Sequence, residues 1–382
     1  MASRSDFVLE DARIVLREGE IRGWLAIVDG RIAEIGEGVP PERGVDFGGD
    51  FLLPGLIELH TDHLESHLRP RPKVNWPTAP SIIAYDYQLA ASGITTVFDS
   101  IRVGNDADYT PERDEALNLV SAISNAASQG LLRVDHKTHL RCEICAEDVL
   151  SGARDVMAAH HVDLVSLMDH TPGARQFASL DAWRTYYGGK SGLPYDQLET
   201  LITRKRQLFE RNYVHHRTAL VDLARAHGAA IASHDDTTPE HVEESIADRV
   251  EVAEFPTNLD AASLSHAASI AVLMGAPNVV RGGSHSGNVA AETLAREGVL
   301  DILSSDYVPG SLLVGAFELA RRIDGYELFR AIRTVSLNPA QACGLADRGE
   351  VACGKIADLL RVRIVDEMPF IAEVYRNGLR IV

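Results

Sequence analysis

The sequence predicts an α/β protein: a (β/α)8 TIM barrel with a small β-sandwich domain formed by the N- and C-terminal segments. Three observations carry this reading. Short apolar runs alternate with helix-patterned stretches through the middle of the chain, and eight of those runs are candidate strands. Both chain ends are strand-patterned and punctuated by tight-turn dipeptides. The boundaries read from this pattern are 1–50 with 346–382 for the composite β domain and 51–345 for the barrel.

From the N-terminus, Arg13–Leu16, Trp24–Val28 and Arg31–Ile35 are short strands separated by Gly and Asp turns. Asp29-Gly30 suits a two-residue hairpin, whose central residues both need positive φ. The C-terminal stretch repeats the style, with Ala357–Val362, Ile371–Tyr375 and the turn Asn377-Gly378. The candidate barrel strands are 51–59, 94–98, 134–143, 162–168, 229–233, 250–254, 278–280 and 300–304. A doubly wound open sheet is the competing architecture, and the count of eight favours the barrel. One connecting helix shows the expected grammar: Thr110 caps, Pro111 opens, Ala116, Val120, Ile123 and Ala127 form the buried stripe, and Gly130 closes. The segment 195–228 is longer than a crossover requires, and its charged first half, Glu199 to Asn212, reads as a solvated extra helix.

Composition bounds the function. The chain has 382 residues, 45% hydrophobic and 24% charged, as expected of a soluble globular protein with more than one small core. A formal charge of −18 argues against a nucleic-acid surface and against anionic membranes. No apolar stretch reaches the roughly 18 residues of a membrane span, and the first residues lack a signal-peptide core, so a cytoplasmic location is expected. A homo-oligomer is compatible with these features. Cys142 and Cys145 form one isolated CxxC with no second pair nearby, and read as plain buried thiols.

In a barrel of this kind reactive groups stand where strands end. Period-two alternation puts Glu58, His60 and Asp62 on one face after the first strand, and His139, Arg141 and Glu143 on one face of the third. The fourth candidate strand ends at Asp169-His170, the fifth at His234-Asp235-Asp236, the sixth at Glu254 and the eighth at Ser304-Ser305-Asp306. Any one of these has a plain explanation as a turn or a helix cap. Imidazoles and carboxylates at six strand ends point instead to a divalent metal site. His160, His161, His215, His216, His227 and His241 lie away from strand ends and read as structural.

The run Pro54-Gly55-Leu56-Ile57-Glu58-Leu59-His60-Thr61-Asp62 resembles the opening PGxIDxHxH motif of the amidohydrolase superfamily. Asn338-Pro339-Ala340 and Gly354-Lys355-Ile356-Ala357-Asp358-Leu359 resemble its closing signature. The likeness runs from about residue 7 to 382. The second histidine of the motif is replaced by Asp62. That departure, with the blocks Pro70–Pro77, Ser166–His170, Ala232–Asp236 and Arg281–Asn288, resembles a branch that hydrolyses a ribose 5-triphosphate to the 5-phosphate and pyrophosphate.

The resemblance implies one or two divalent ions, with zinc, manganese and iron equally suited, held by His60, Asp62, Glu143 and His234 with His170 as a further ligand. It implies Asp306 as the proton acceptor. A triphosphate also needs cations and backbone donors. The loop Arg281-Gly282-Gly283-Ser284-His285, placed after the seventh candidate strand, offers both, and Arg71, Lys73 and Arg141 are further anion contacts. A deacetylase or cyclic-amide hydrolase, a phosphotriesterase and a non-catalytic scaffold stay open as alternatives. The first two have no use for the basic clamp, and the third none for the persisting ligands.

Overall fold

The computed structural model describes residues 6–71, 73–105, 114–175, 179–191, 194–284 and 287–382. The terminal segments build one continuous sheet. Phe7–Leu16 pairs antiparallel with Gly19–Val28, which pairs with Arg31–Glu37. On its other side Phe7–Leu16 runs parallel to Phe51–Pro54, which leads to Leu359–Val365, Met368–Arg376 and Leu379–Arg380. Leu9, Ile14, Leu25, Ile27, Phe47, Leu52 and Leu359 form its buried core. Both turn readings hold. Asp29 and Gly30 have φ of 51° and 76°, and Asn377 and Gly378 have 50° and 71°, the left-handed pair such hairpins require.

The second sheet is the barrel, eight parallel strands in sequence order: Leu56–Thr61, Ile94–Val103, Asp135–Glu143, Leu164–Met168, Ala230–His234, Val252–Glu254, Ala271–Gly275 and Ile302–Ser304. The first and last strands meet, with a parallel bridge between Thr61 and Asp306. The strands are mostly buried, as those covered on both faces must be; Asp135–Glu143 departs from this, with a largely polar sequence whose first four residues are half-buried.

Several sequence expectations need correction. The candidate strand 51–59 is two strands, divided at Gly55 between the terminal sheet and the barrel. A Cβ on Gly55 would fall 2.2 Å from Thr95 Oγ1, so only glycine lets the chain pass between the sheets there. The seventh strand is Ala271–Gly275, and the expected strand 278–280 lies in a short helix, Ala276–Arg281, with Pro277 in its first turn. The apolar run Ile270–Met274 is the longer of the two here, and Pro277 starts a helix over the shorter Asn278–Val280. Thr110 and Pro111 lie outside the described residues. The helix beyond them, Glu115–Ser128, buries Val120 and Ile123 as expected, but Ala126 takes the buried place expected of Ala127.

The segment read as a solvated extra helix is the start of one continuous helix, Tyr195–His227, ended by Gly228 at φ 71°. Its charged half is not simply solvated. Leu198 and Ile202 pack on Trp183 and Tyr187, and Lys205 and Asn212 are buried. Asn212 and His216 bond the carbonyls of Cys145 and Ile144, just past the third barrel strand. Cys142 and Cys145 are free and buried, and burial pushes the Cys142 thiol up to about 12. Among the described residues no helix is long and apolar enough to cross a membrane.

Close packing divides the chain into two compact units. One comprises Met1–Phe98, Ala126–His136 and Met274–Val382, and the other Asp99–Asn125 and Lys137–Leu273.

Candidate metal centre

In the first unit the candidate groups are placed by main-chain bonds. Strand Leu56–Thr61 carries Glu58 and His60, both buried. Asp306 sits just past the last strand in the left-handed region, at φ 53°. Its N–H donates to the His60 carbonyl at 3.1 Å, and its own carbonyl accepts from the Asp62 N–H at 3.0 Å. One residue thus locks the backbone on both sides of Thr61. Asp62 precedes the helix His63–Leu68 at the cap position yet makes no side-chain cap bond, so the plain reading of that aspartate as a helix cap is not realised.

Glu58 is held by the same edge. Its carboxylate accepts from the N–H groups of His60 at 2.6 Å and Ser305 at 2.5 Å. Burial pushes this carboxyl up to about 8, against those donors and with the neighbouring Asp306 adding to the rise.

The candidate anion contacts of this unit lie at the surface. Arg71 and Lys73 are exposed on a tight turn, with Lys73 at φ 64° and the Val74 N–H donating to the Arg71 carbonyl at 3.0 Å. Arg281, also exposed, ends the short helix, and Gly282 and Gly283 follow at φ 81° and 155°. A Cβ on either glycine meets nothing within 4 Å, so backbone conformation rather than crowding demands glycine. The loop therefore follows a helix, not the seventh strand directly. His285 lies outside the described residues.

In the second unit the donors are oriented by other side chains. His170 Nδ1 stands 2.6 Å from Glu143 Oε2, and the His170 N–H donates to Glu143 Oε1 at 3.2 Å. His234 Nδ1 stands 3.0 Å from Glu254 Oε2. Glu254, fully buried, also accepts from Ser166 Oγ at 2.9 Å, and Ser166 Oγ lies 2.5 Å from His139 Nε2. Arg141 is buried on the same strand as His139 and Glu143.

Ligand atoms of His170, His234 and Asp235 lie within 4.8 Å of one another. Two imidazoles and a carboxylate at that spacing fit a divalent ion. A carboxylate on Nδ1 of each ring fixes its rotation and leaves Nε2 as the donor, an arrangement metal-binding histidines commonly have. Burial raises the Asp235 carboxyl, while His234, His170 and Arg175 oppose the rise.

Of the expected ligands, the structure groups His170 with His234 and ties Glu143 to His170. It adds Asp235 to the group and Glu254 behind it. Both stood at recognised strand ends, and period-two pattern alone could not say which strand-end acid faces a ligand. Arg175 and Lys205, whose Nζ donates to the His170 carbonyl at 3.3 Å, gave no sequence signal.

The fold and these donor sets define a class that comparison with known proteins bears out. The amidohydrolase family pattern matches residues 216–378. The chain is 42% identical, over 98% of its length and 100% of the relative's, to the alpha-D-ribose 1-methylphosphonate 5-triphosphate diphosphatase of Escherichia coli. The chain belongs to the amidohydrolase superfamily. Among solved structures it resembles a mutant N-acetyl-D-glucosamine-6-phosphate deacetylase from Mycobacterium smegmatis, at TM-score 0.65 and 17% identity, covering 99% of this chain and 100% of the other. It also resembles N-isopropylammelide isopropylaminohydrolase from Burkholderia multivorans, at TM-score 0.64 and 17% identity, covering 99% and 98%. At such identities these two likenesses establish the fold alone.

Proposed function

We propose that the chain is a metal-dependent hydrolase that cleaves alpha-D-ribose 1-methylphosphonate 5-triphosphate to the 5-phosphate and pyrophosphate. The observation that carries this reading is the end-to-end likeness to the Escherichia coli diphosphatase. The deacetylase reading rests on fold likeness only, and the cyclic-amide reading on weaker sequence likeness, 33% over 25% of the chain to a D-hydantoinase of Ralstonia pickettii and 25% over 95% to an imidazolonepropionase of Pseudomonas putida.

His60 and Asp62 in one unit and His170, His234 and Asp235 in the other are the groups we assign to one or two divalent ions. Zinc, manganese and iron all suit such mixed nitrogen and oxygen donors. Bound there, an ion supplies Lewis acidity and makes a water ionise near neutral pH. Glu143 and Glu254 act on the rings of His170 and His234, holding the tautomer and the aim of each.

Asp306 accepts the proton of the attacking water. Its backbone clamp on His60 and Asp62 fixes it relative to those residues at no cost to its carboxylate. Water attacks the α-phosphorus in line with the departing pyrophosphate. Arg71, Lys73, Arg141, Arg281 and His285 stabilise the charge that develops on the departing group, whereas the N–H groups of Gly282 and Gly283 donate to the carbonyls of Val279 and Asn278 and close the short helix. These cations also answer the overall charge of −18, which by itself repels a triphosphate.

The test is incubation of purified protein with a ribose 5-triphosphate and a divalent ion, resolving pyrophosphate from orthophosphate. Pyrophosphate is expected, lost on chelation and restored by metal. Orthophosphate alone contradicts the assignment and indicates removal of the terminal phosphate.

A further inference from the structure

Arg175 lies in the segment that follows the fourth barrel strand, together with His170. Its side chain is buried, 2% exposed, where a solvated arginine is the norm. Its Nη1 donates to the His234 carbonyl at 3.2 Å and also to the carboxylate of Asp236. The other terminal nitrogen, Nη2, donates to the Tyr213 hydroxyl at 3.0 Å, and that hydroxyl donates to Glu244 at 2.7 Å. Arg175 is thus fixed from the long helix on one side and grips the turn after the fifth strand on the other.

The gripped turn is unusual. Asp235, between the two residues that Arg175 holds, has φ 57°, a left-handed conformation that aspartate tolerates at some cost and that the bonds on either side of it favour. Asp236 takes two more hydrogen bonds, from Ser233 at 2.6 Å and Ser245 at 3.1 Å. Those satisfy the carboxylate but do not reach the His234 carbonyl. One guanidinium nitrogen bonds both flanks of Asp235 while the other holds the Tyr213 hydroxyl, and a planar fork suits bonding the turn and the long helix at once better than a single ammonium.

We propose that Arg175 is a positioning residue for the metal centre: by gripping the His234 carbonyl and the Asp236 carboxylate it holds the left-handed turn at Asp235, and so sets His234 and Asp235 against His170. This rests on the metal reading above. Arg175 itself touches neither ion nor substrate in this role.

The test is titration of chelator-stripped protein with Mn²⁺ alone, comparing wild type, Arg175→Met, Arg175→Lys and Leu220→Ala. Leu220 is a fully buried apolar residue of the long helix with no hydrogen-bonding side chain, and its truncation lowers the melting temperature without removing a bond of Arg175. Arg175→Met raises the Mn²⁺ dissociation constant about 10- to 100-fold, in the range seen when groups that orient metal ligands are removed. Arg175→Lys keeps the charge beside Asp236 but not the fork, and falls between. Leu220→Ala stays within about twofold of wild type despite its lower melting temperature, as destabilisation that removes no bond of Arg175 should. If Arg175→Met does not fold, Arg175→Lys carries the comparison. A wild-type-like dissociation constant in the folded arginine variant, or an equal loss in Leu220→Ala, overturns the positioning role. Wild-type protein that binds no divalent ion overturns the metal reading itself, which is a separate outcome.

Discussion

In the unit that carries His60 main-chain bonds tie Asp306 to His60 and Asp62, whereas in the unit that carries His234 side-chain carboxylates hold the rings of His170 and His234. Asp306 locks His60 and Asp62 through backbone N–H and carbonyl groups. His170 and His234 depend on the carboxylates of Glu143 and Glu254. The difference teaches that substitution should act differently in the two places. A side chain in the first set can be changed while its backbone anchor survives. In the second, removing an orienting carboxylate leaves a ring free to turn.

The largest expected effect uses that independence. Asp306→Asn keeps the backbone clamp and loses the proton acceptor, so turnover falls by on the order of 10²- to 10⁴-fold while metal content stays at the wild-type level. Steady-state kinetics with metal analysis checks this, and near-normal turnover removes Asp306 from the role.

The next effect is on stability. Asp358 is buried in the backbone-anchored unit, and its carboxylate accepts the Asn377 N–H at 2.7 Å. Burial raises its pKa from 3.8 to about 6, the Asn377 N–H and Arg348 opposing. Because the folded value lies above the unfolded one, the stability this group contributes is full below about pH 4 and is lost as pH rises through about 6. Asp358→Asn keeps an acceptor for Asn377 and removes the titration. Its stability relative to wild type should improve by about 2–3 kcal/mol between pH 4 and pH 8. Denaturant unfolding at the two pH values measures it, and parallel pH dependence in the two proteins contradicts it.

Glu254→Gln strikes the side-chain-oriented set. Weaker divalent-ion binding, by about 10- to 100-fold, is expected, with the protein still folded. Unchanged affinity would mean that His234 needs no carboxylate to aim it, and the contrast between the units would collapse. The smallest effect belongs to Arg281→Ala, because that cation is exposed. kcat/KM for the triphosphate should fall about tenfold, with kcat sharing in the loss because the charge on the departing group develops in the transition state, the scale of one charged hydrogen bond. An equal loss for a neutral ester substrate would argue against an anion contact.

The same contrast explains what was legible in the sequence. His60, Asp62, His170, His234 and Asp306 could be found because each stands where an apolar run ends, and that position is a local property of the chain. The barrel and the terminal sheet were legible for the same reason, through alternating pattern and the turns at Asp29-Gly30 and Asn377-Gly378. The orienting partners could be placed near the site but not paired. Ser166 and Glu254 are 88 residues apart, and nothing local says that they bond. Arg175 was silent because a buried arginine in a loop looks, in sequence, like a solvated one. The seventh strand was misplaced by the apolar residues of the helix beside it. The charged half of Tyr195–His227 misled because burial of Lys205 and Asn212 is decided by what the helix packs against, not by its own composition.

Cleavage at the phosphorus next to the ribose is the central claim, and hydrolysis in ¹⁸O-labelled water tests it most directly. Mass analysis of both products should find the label in the ribose 5-phosphate and none in pyrophosphate. Label confined to pyrophosphate would place the attack on the β-phosphorus and contradict the assignment.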